Sequence, residues 1–360
     1  MHMLQYVQKI IKKSSDFFAD STKIYILGLI LTTCKKNCSA MALSLGVSKH
    51  SFYDYFKDFE HEKKRIQDFA IIMINLFATE ENPGFLISDT TQILKLYGNK
   101  IKTLCYDRNG SIKLVAKGMS CVAFAWANGK VIIPLDFDFW IRKKDIKDNR
   151  EYRKKTEITE ELLLEWKEQI PFKYVILDGD YGNEPFLRFL HEIGLLYFIR
   201  MPKSRIVITD GKELSLAEHP FFKLNRNERY KTARCTYKGI PAYVTSQKRK
   251  GPKGTKQVVF VISNVEGLAP KQYIDIYELR WPVEMMFRTL KQYFGLQECQ
   301  CQSEGAQEAH VFANFLAFTI IEIQKYIKKK KSLEQVLKLL RPQETVKTNP
   351  EWHPWVNISI

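Results

Sequence analysis

Two short apolar runs that each end in an aspartate constrain this chain more than any other feature: Phe85-Leu86-Ile87-Ser88-Asp89 and Tyr174-Val175-Ile176-Leu177-Asp178. Runs this short, bounded by turn formers, suit strands covered on both faces better than helices. Helical patterns follow the second run at Glu184–Ile193 and precede it at Thr159–Gln169, and a further strand is expected at Leu196–Arg200. Two more strands, Ser120–Trp126 and Val131–Asp138, flank Ala127-Asn128-Gly129-Lys130. Asn-Gly between such runs signals a hairpin. The order β-β-β-α-β-α-β therefore predicts an α/β sheet with a carboxylate at the end of each of two buried strands.

That order is of the ribonuclease-H type, and the remaining chain is arranged around it. Residues 1–80 carry few helix breakers and predict an all-helical N-terminal domain. The periodicity changes at Glu81-Asn82-Pro83-Gly84, so 81–200 is expected to form the first part of the core. Residues 201–257 break the pattern with short strands and turns, as expected of a mainly β insertion. The core resumes over 258–300 with Val258–Asn264, and 301–360 predicts C-terminal helices, chiefly Ala306–Tyr326 before Lys328–Lys331. Within the N-terminal helices, Ser39–Tyr53 resembles a helix-turn-helix. Gly46 would sit in its turn, Val47 would pack inward, Ser48 would cap the second helix, and Lys49, His50 and Tyr53 would face a major groove. A plain helical hairpin fits the same residues.

The formal charge of +16, with pI near 9.3, points to a polyanionic partner, nucleic acid first and an anionic membrane surface second. No apolar run reaches the roughly 18–20 residues of a membrane span, and Ile24–Thr33 is short and part of an amphipathic pattern. Lys9, Lys12 and Lys13 are not followed by a cleavable apolar stretch, so no signal peptide is expected. Seven cysteines without framework spacing suggest reduced thiols in a cytoplasmic protein. Cys34 with Cys38, and Cys299 with Cys301, lack partners at zinc-finger spacing. From Arg200 to Lys256 the chain has fifteen Lys and Arg against four Asp and Glu, so most of the excess charge lies in the insertion. Phe221, Phe222, Tyr230, Tyr237 and Tyr243 are interleaved with it, where aromatics serve either as stacking platforms for bases or as cross-strand core.

Residues 277–291, Tyr-Glu-Leu-Arg-Trp-Pro-Val-Glu-Met-Met-Phe-Arg-Thr-Leu-Lys, carry the clearest chemistry. Wound as one helix at ~100° per residue, Tyr277, Arg280, Glu284 and Lys291 fall within roughly 60° of one another. Leu279, Val283, Met286, Phe287, Leu290 and Phe294 form the opposite, core-facing stripe. A carboxylate among a phenol, a guanidinium and an ammonium suits a metal-held phosphate. Asp89, Asp178 and Glu284 are the acids expected to meet, as hard divalent cations require. Two Mg²⁺ ions about 3.5–4 Å apart would serve phosphodiester displacement, with Mn²⁺ as a substitute. Asp180 competes with Asp178, because Asp178-Gly179-Asp180 also looks like the Asp-x-Asp of nucleotide-sugar transferases; Asp136 and Asp138 compete for the first position. Pro282 interrupts the helix, which either kinks or begins there.

Tyr277-x2-Arg280-x3-Glu284-x6-Lys291 resembles the Tyr-Arg-Glu-Lys (YREK) signature of a group of bacterial insertion-sequence DDE transposases. Phe85–Thr91 and Tyr174–Tyr181 resemble that group's two aspartate blocks, and Gly129–Phe139 its intervening hairpin. The resemblance covers about residues 80–300. It implies a ribonuclease-H-like catalytic core that cuts transposon ends and joins them to target DNA, with the long interval after Asp178 holding a β insertion. By position, Asp89, Asp178 and Glu284 would bind two Mg²⁺, and Tyr277, Arg280 and Lys291 would contact DNA phosphates. The implied partners are double-stranded DNA, both terminal inverted repeats and target, and a second copy of the chain on that DNA, with no membrane. Related members form a hairpin DNA intermediate, with an aromatic of the insertion holding a flipped base. Two departures are Asp180, where the group commonly has glycine, and Pro282 within the signature. The competing functions are a catalytically silent DNA-binding remnant and a sugar or nucleotidyl transferase using Asp178 and Asp180.

Overall fold

The computed structural model describes residues 17–109, 114–250 and 255–341. The start of the expected helical domain, most of the basic loop after Lys250 and the last residues from 342 on lie outside them. The chain folds as two compact units, and neither is continuous in sequence. The first comprises Met1–Thr79, Thr90–Lys154 and Met285–Ile360; the second comprises Glu80–Asp89 and Lys155–Glu284.

In the first unit, helices α1 (Asp20–Leu31), α2 (Cys38–Leu45), α3 (His50–Lys57) and α4 (Phe59–Phe77) share a core with the long α9 (Glu304–Ile327). The N-terminal helices therefore belong to a mixed α/β unit rather than standing apart. α9 is buried on nearly every side, from Ala306 to Gln324, and Ser303 caps it by accepting from the Ala306 amide at 3.4 Å. Its apolar surface meets Phe59 and Phe137, whose rings lie 5.7 and 5.1 Å from that of Phe312. The aromatic tips supply polar anchors: Tyr25 Oη pairs with His310 Nδ1 at 2.9 Å, and Tyr55 Oη donates to the Ala309 carbonyl at 2.8 Å. α1 is buried from Tyr25 to Leu31, so the part of the apolar run Ile24–Thr33 that is helical is covered nearly all round rather than amphipathic, and the helix ends before Thr32. The four-lysine run lies between α9 and α10 (Leu333–Leu340), not within a helix.

α2 and α3 are joined as the sequence suggests, with Gly46 in the left-handed region at φ 67°. Val47, however, is 36% exposed rather than packed inward, because Met41 of α2 and Phe52 and Tyr55 of α3 already fill the interior. Ser48 Oγ accepts from the His50 amide at 3.2 Å, and Lys49, His50 and Tyr53 are exposed. This unit also holds strands β2 (Cys105–Asn109), β3 (Leu114–Ala127) and β4 (Ile132–Trp140). β3 pairs antiparallel with β2 through Cys105↔Gly118 and with β4 through Ser120↔Trp140 to Ala127↔Ile132. The Asn128 side chain closes the β3–β4 turn by accepting from the Lys130 and Val131 amides.

The second unit is a mixed sheet. β1 (Phe85–Leu94) enters it with its first half, in parallel register with β5 (Tyr174–Leu177) from Phe85↔Tyr174 to Ser88↔Leu177. β5 in turn is parallel to β6 (Tyr197–Met201), and α6 (Glu184–Glu192) makes the crossover. α5 (Lys155–Trp166) precedes β5. Beyond β6 the sheet turns antiparallel through β11 (Lys256–Ser263), β10 (Ile240–Lys250), β9 (Tyr230–Tyr237), β7 (Ile206–Thr209) and β8 (Lys212–Ser215). The basic interval thus extends the sheet through the long β10–β11 pairing, Tyr243↔Ser263 to Lys250↔Lys256.

One expectation is corrected, and of the two alternatives at Pro282 the structure takes the second, a helix that begins there. β1 continues to Leu94, so Asp89 lies inside a strand; what ends there is the pairing with β5, whose last partner is Ser88. The segment 277–291 is not one helix. α7 (Pro270–Glu278) stops, Leu279 and Arg280 form a turn, and α8 begins at Trp281 and runs to Tyr293. Pro282 explains the break: it has no amide hydrogen to donate, which costs nothing in a first helical turn and a hydrogen bond anywhere later.

Candidate active site

Parallel pairing brings the two aspartates to one level. Ser88 and Leu177 are the last register partners of β1 and β5, so Asp89 and Asp178 follow at the next position on strands about 4.8 Å apart. Asp178 leads straight out of β5 and turns the chain: its Oδ1 accepts from the Gly179 amide at 2.6 Å, opening a short 3-10 turn over Gly179–Tyr181. Tyr181 then places its hydroxyl in the buried space behind, 3.2 Å from Ser88 Oγ and 3.1 Å from Thr159 Oγ1, with the latter two 3.2 Å apart. All three side chains are buried. Gly182 allows the chain to turn here, since a Cβ would meet Met201 Sδ at 2.7 Å and the Arg200 carbonyl at 3.0 Å. This hydroxyl cluster ties β1, α5 and the Asp178 turn together beside both aspartates.

The third acid arrives with the α7–α8 break. The Arg280 amide donates to the Tyr277 carbonyl at 3.0 Å, and the Val283 amide donates to the Arg280 carbonyl at 3.1 Å. This tight turn directs the Arg280 side chain at the acids. Its Nη1 lies 2.9 Å from Asp89 Oδ2, and its Nη2 bonds Glu284 Oε1 one turn along α8. The guanidinium is only 11% exposed, against 20% for Asp89 and 34% for Glu284. Burial works against its charge, but Asp89, Tyr277, Asp178 and Glu284 outweigh that and hold it firmly protonated. Tyr277 is pushed up to about 12, first by burial and then by the charge of Asp178, so its phenol keeps its proton at neutral pH.

Two of the competing acids, Asp136 and Asp138, are bonded to other groups. Asp180 is exposed. Asp136, in β4, accepts from Gln67 Nε2 at 2.8 Å and from the Phe137 amide, and Asp138 pairs with Arg153. Lys291 belongs to the first unit, where burial lowers its pKa and only the charge of Cys121 opposes that. The sequence anticipated Arg280 as a phosphate ligand but not as a bridge between two acids; the i, i+4 spacing to Glu284 was visible, whereas Asp89 lies 191 positions away. Ser88, Thr159 and Tyr181 were not singled out, because a buried hydroxyl carries no periodic signal.

Three carboxylates around one guanidinium leave the group net negative, and all are hard oxygen donors, as Mg²⁺ prefers. Among the described residues no three Asp, Glu, His or Cys side chains are gathered into a metal-holding group. Instead a monovalent cation, Arg280, stands between Asp89 and Glu284. The donor set fits a divalent ion; the spacing is that of acids held around a guanidinium.

With this arrangement in view, comparison with known proteins is decisive. A family model described as DDE superfamily endonuclease matches residues 13–220, and another, described as Transposase DDE domain, matches residues 133–320. Each spans more than half of the chain. The chain belongs to the DDE superfamily. It is also similar to the transposase for insertion sequence element IS231B of Bacillus thuringiensis subsp. berliner, 32% identical over 85 residues. That match covers 22% of this chain and 18% of the relative. Among the described residues of this DDE protein, no helix is long and apolar enough to cross a membrane.

Proposed function

We propose that this DDE protein is an insertion-sequence DNA transposase of the YREK group, with a ribonuclease-H-like core that cuts transposon ends and joins them to target DNA. One observation carries the reading: aspartates from two adjacent parallel strands and a glutamate from the following helix bear on a single buried guanidinium. Asp89, Asp178 and Glu284 are the residues that would hold Mg²⁺, or Mn²⁺ in its place. Bound there, the ions would supply Lewis-acid activation of a water or hydroxyl and stabilise the departing oxygen.

The chain's own residues supply the rest. Arg280 keeps Asp89 and Glu284 in place before the metal arrives, then becomes available to a DNA phosphate through its planar fork of donors. Tyr277, protonated far above neutral pH, donates a hydrogen bond to a phosphate oxygen. Lys291 exchanges an unfavourable buried environment for an anionic partner. The fifteen cations between Arg200 and Lys256 provide the sequence-independent attraction for duplex DNA. Because two ends are joined, the active species is a homodimer on DNA. Incubating the protein with DNA bearing its own terminal inverted repeats tests this. Strand cleavage should require Mg²⁺ or Mn²⁺ and vanish in Glu284→Gln; a wild-type protein that binds these ends with divalent metal yet leaves them intact overturns the reading.

A further inference from the structure

The first unit carries a basic face that the nuclease reading does not use. Its centre is the β2–β3 pairing, where Tyr106 lies opposite Lys117 and Arg108 opposite Val115. Side chains alternate across a strand, so these four share one face, while Cys105, Ala116 and Gly118 on the other are buried. On one flank the Lys95 amide donates to the Lys117 carbonyl at 3.2 Å, which brings the turn after β1 alongside β3. Lys117 Nζ donates to Asn99 Oδ1 in that turn at 2.6 Å, and Tyr97 beside it is 91% exposed. On the other flank Asp145 Oδ2 accepts from the Tyr106 amide at 3.1 Å and from Arg142 Nε at 2.9 Å. The Arg142 guanidinium in turn lies over the Tyr106 ring, 5.9 Å from its centre. Printed bonds thus join the turn, the two strands and the segment after β4 into one surface.

The charge on this surface is one-sided. Asp145 is taken up by Arg142, and Asp107 belongs to the opposite face of the ladder, where it accepts from Ser120 Oγ at 2.8 Å. Lys100, Arg108, Lys117, Lys143 and Lys144 remain, all exposed except the half-buried Lys117, and among the described residues none of the five is in an ion pair. The turn after β1 and strand β2 lie two strand spacings apart, about 10 Å, comparable with the width of a DNA groove, about 6–12 Å. Lysines and an arginine on a ladder and its flanking turns, with no helix to enter a groove, suit phosphates rather than base edges. We propose that this face of the first unit binds the backbone of duplex DNA without regard to sequence, as a second DNA surface besides the basic insertion. On the transposase reading, on which this assignment rests, the duplex is the target DNA, which has no fixed sequence.

Titrating the full-length protein with an unrelated duplex and with its own terminal repeat, in EDTA, reads binding apart from cleavage. Combining Lys143→Ala with Lys144→Ala removes two phosphate contacts. The slope of log affinity against log salt should become shallower by about 1.8 on both duplexes, with affinity at about 0.1 M salt reduced at least tenfold. Combining Lys328→Ala with Lys330→Ala makes the same change in net charge at the far end of β3. There Tyr326 lies 5.1 Å from Phe77, whose carbonyl accepts from Asn128 in the β3–β4 turn at 3.0 Å. That turn is about 35 Å along β3 from Lys117, well beyond the screening length of about 10 Å, so this control should leave both slopes nearly unchanged. A protein that fails to cut its ends overturns the transposase reading while these slopes still decide the face. Unchanged slopes in the Lys143 and Lys144 variant, equal losses in the two double variants, or a loss confined to the terminal repeat would each overturn the assignment. So would weaker binding to phosphatidylserine vesicles with none lost on duplex DNA.

Discussion

Replacing Arg280 with glutamine should destabilise the protein in a way that a divalent cation selectively reverses. In the wild type, the guanidinium neutralises one carboxylate on each side, Asp89 at 2.9 Å and Glu284 at hydrogen-bond distance, and carries the influence of Asp178 as well. Removing one member of a buried ion pair costs about 3–5 kcal/mol, mainly because a desolvated charge is left behind. Water reaches 20% of Asp89 and 34% of Glu284, so the cost here should lie lower, at about 2–3 kcal/mol. For a chain built of units this size, that lowers Tm by roughly 5–10 °C. The vacated space between the acids then belongs to whatever cation is present. Mg²⁺ at 100 times its Kd stabilises a protein by about 2.7 kcal/mol if it binds only the folded state. It should bind the variant more tightly than the wild type, where Arg280 competes. Thermal unfolding of both proteins, in EDTA and across a Mg²⁺ titration, reads both effects. Equal Tm values in EDTA, or Mg²⁺ shifts of equal size in the two proteins, would refute the view that Arg280 occupies the place of a metal.

Three further outcomes follow from the same geometry. Tyr181→Phe removes bonds to Ser88 and Thr159 while leaving those two bonded to each other; urea unfolding should show a loss of about 1–2 kcal/mol, with DNA cleavage falling further than DNA binding. His310 is buried and its pKa is lowered, first by burial and then by Lys95, from 6.5 to about 4. Its contribution is fully present above the unfolded value of 6.5 and is lost as pH falls through 4, a difference of about 3 kcal/mol that His310→Gln should abolish in the pH dependence of unfolding. Lys291→Met should raise Tm at neutral pH, because burial disfavours the ammonium; the gain should shrink as pH rises past the folded pKa toward the unfolded value of about 10.4, and filter binding should show weaker DNA affinity.

Much of the strand framework was legible, because a strand buried on both faces must be apolar at every position. Val175, Ile176 and Leu177 are fully buried, and so are Tyr197, Phe198 and Ile199 of the neighbouring strand. β2 was missed for the converse reason: Cys105-Tyr106-Asp107-Arg108-Asn109 reads as a polar turn, and only its ladder with β3 makes it a strand. The N-terminal helices were legible as helices but not as part of a larger unit. Their partner is α9, roughly 250 positions further on, where Ala309 receives the Tyr55 hydroxyl and His310 the Tyr25 hydroxyl. Local periodicity reports that a face is apolar; it does not say which distant helix covers it.

The segment 277–291 shows the same boundary from the side of function. A helical projection placed Tyr277, Arg280 and Glu284 on one side of a single helix, with a kink or a fresh start at Pro282 as the two alternatives; the chain takes the second, since α7 ends before Arg280 and α8 starts after it. The break is what makes the group work. On an unbroken helix, Arg280 would pair with Glu284 along the surface at i, i+4, an interaction worth only about 0.3–0.5 kcal/mol. Freed from the helix by the turn that Pro282 favours, the guanidinium becomes 11% exposed and reaches Asp89 on a strand. A proline that looked like a departure from the pattern is therefore the residue that converts a surface ion pair into a bridge across the acids. Pro282→Ala, by allowing α7 and α8 to merge, should weaken the Arg280–Asp89 contact while sparing that to Glu284. A crystal structure of that variant with Arg280 still seated between both acids would remove proline from the explanation.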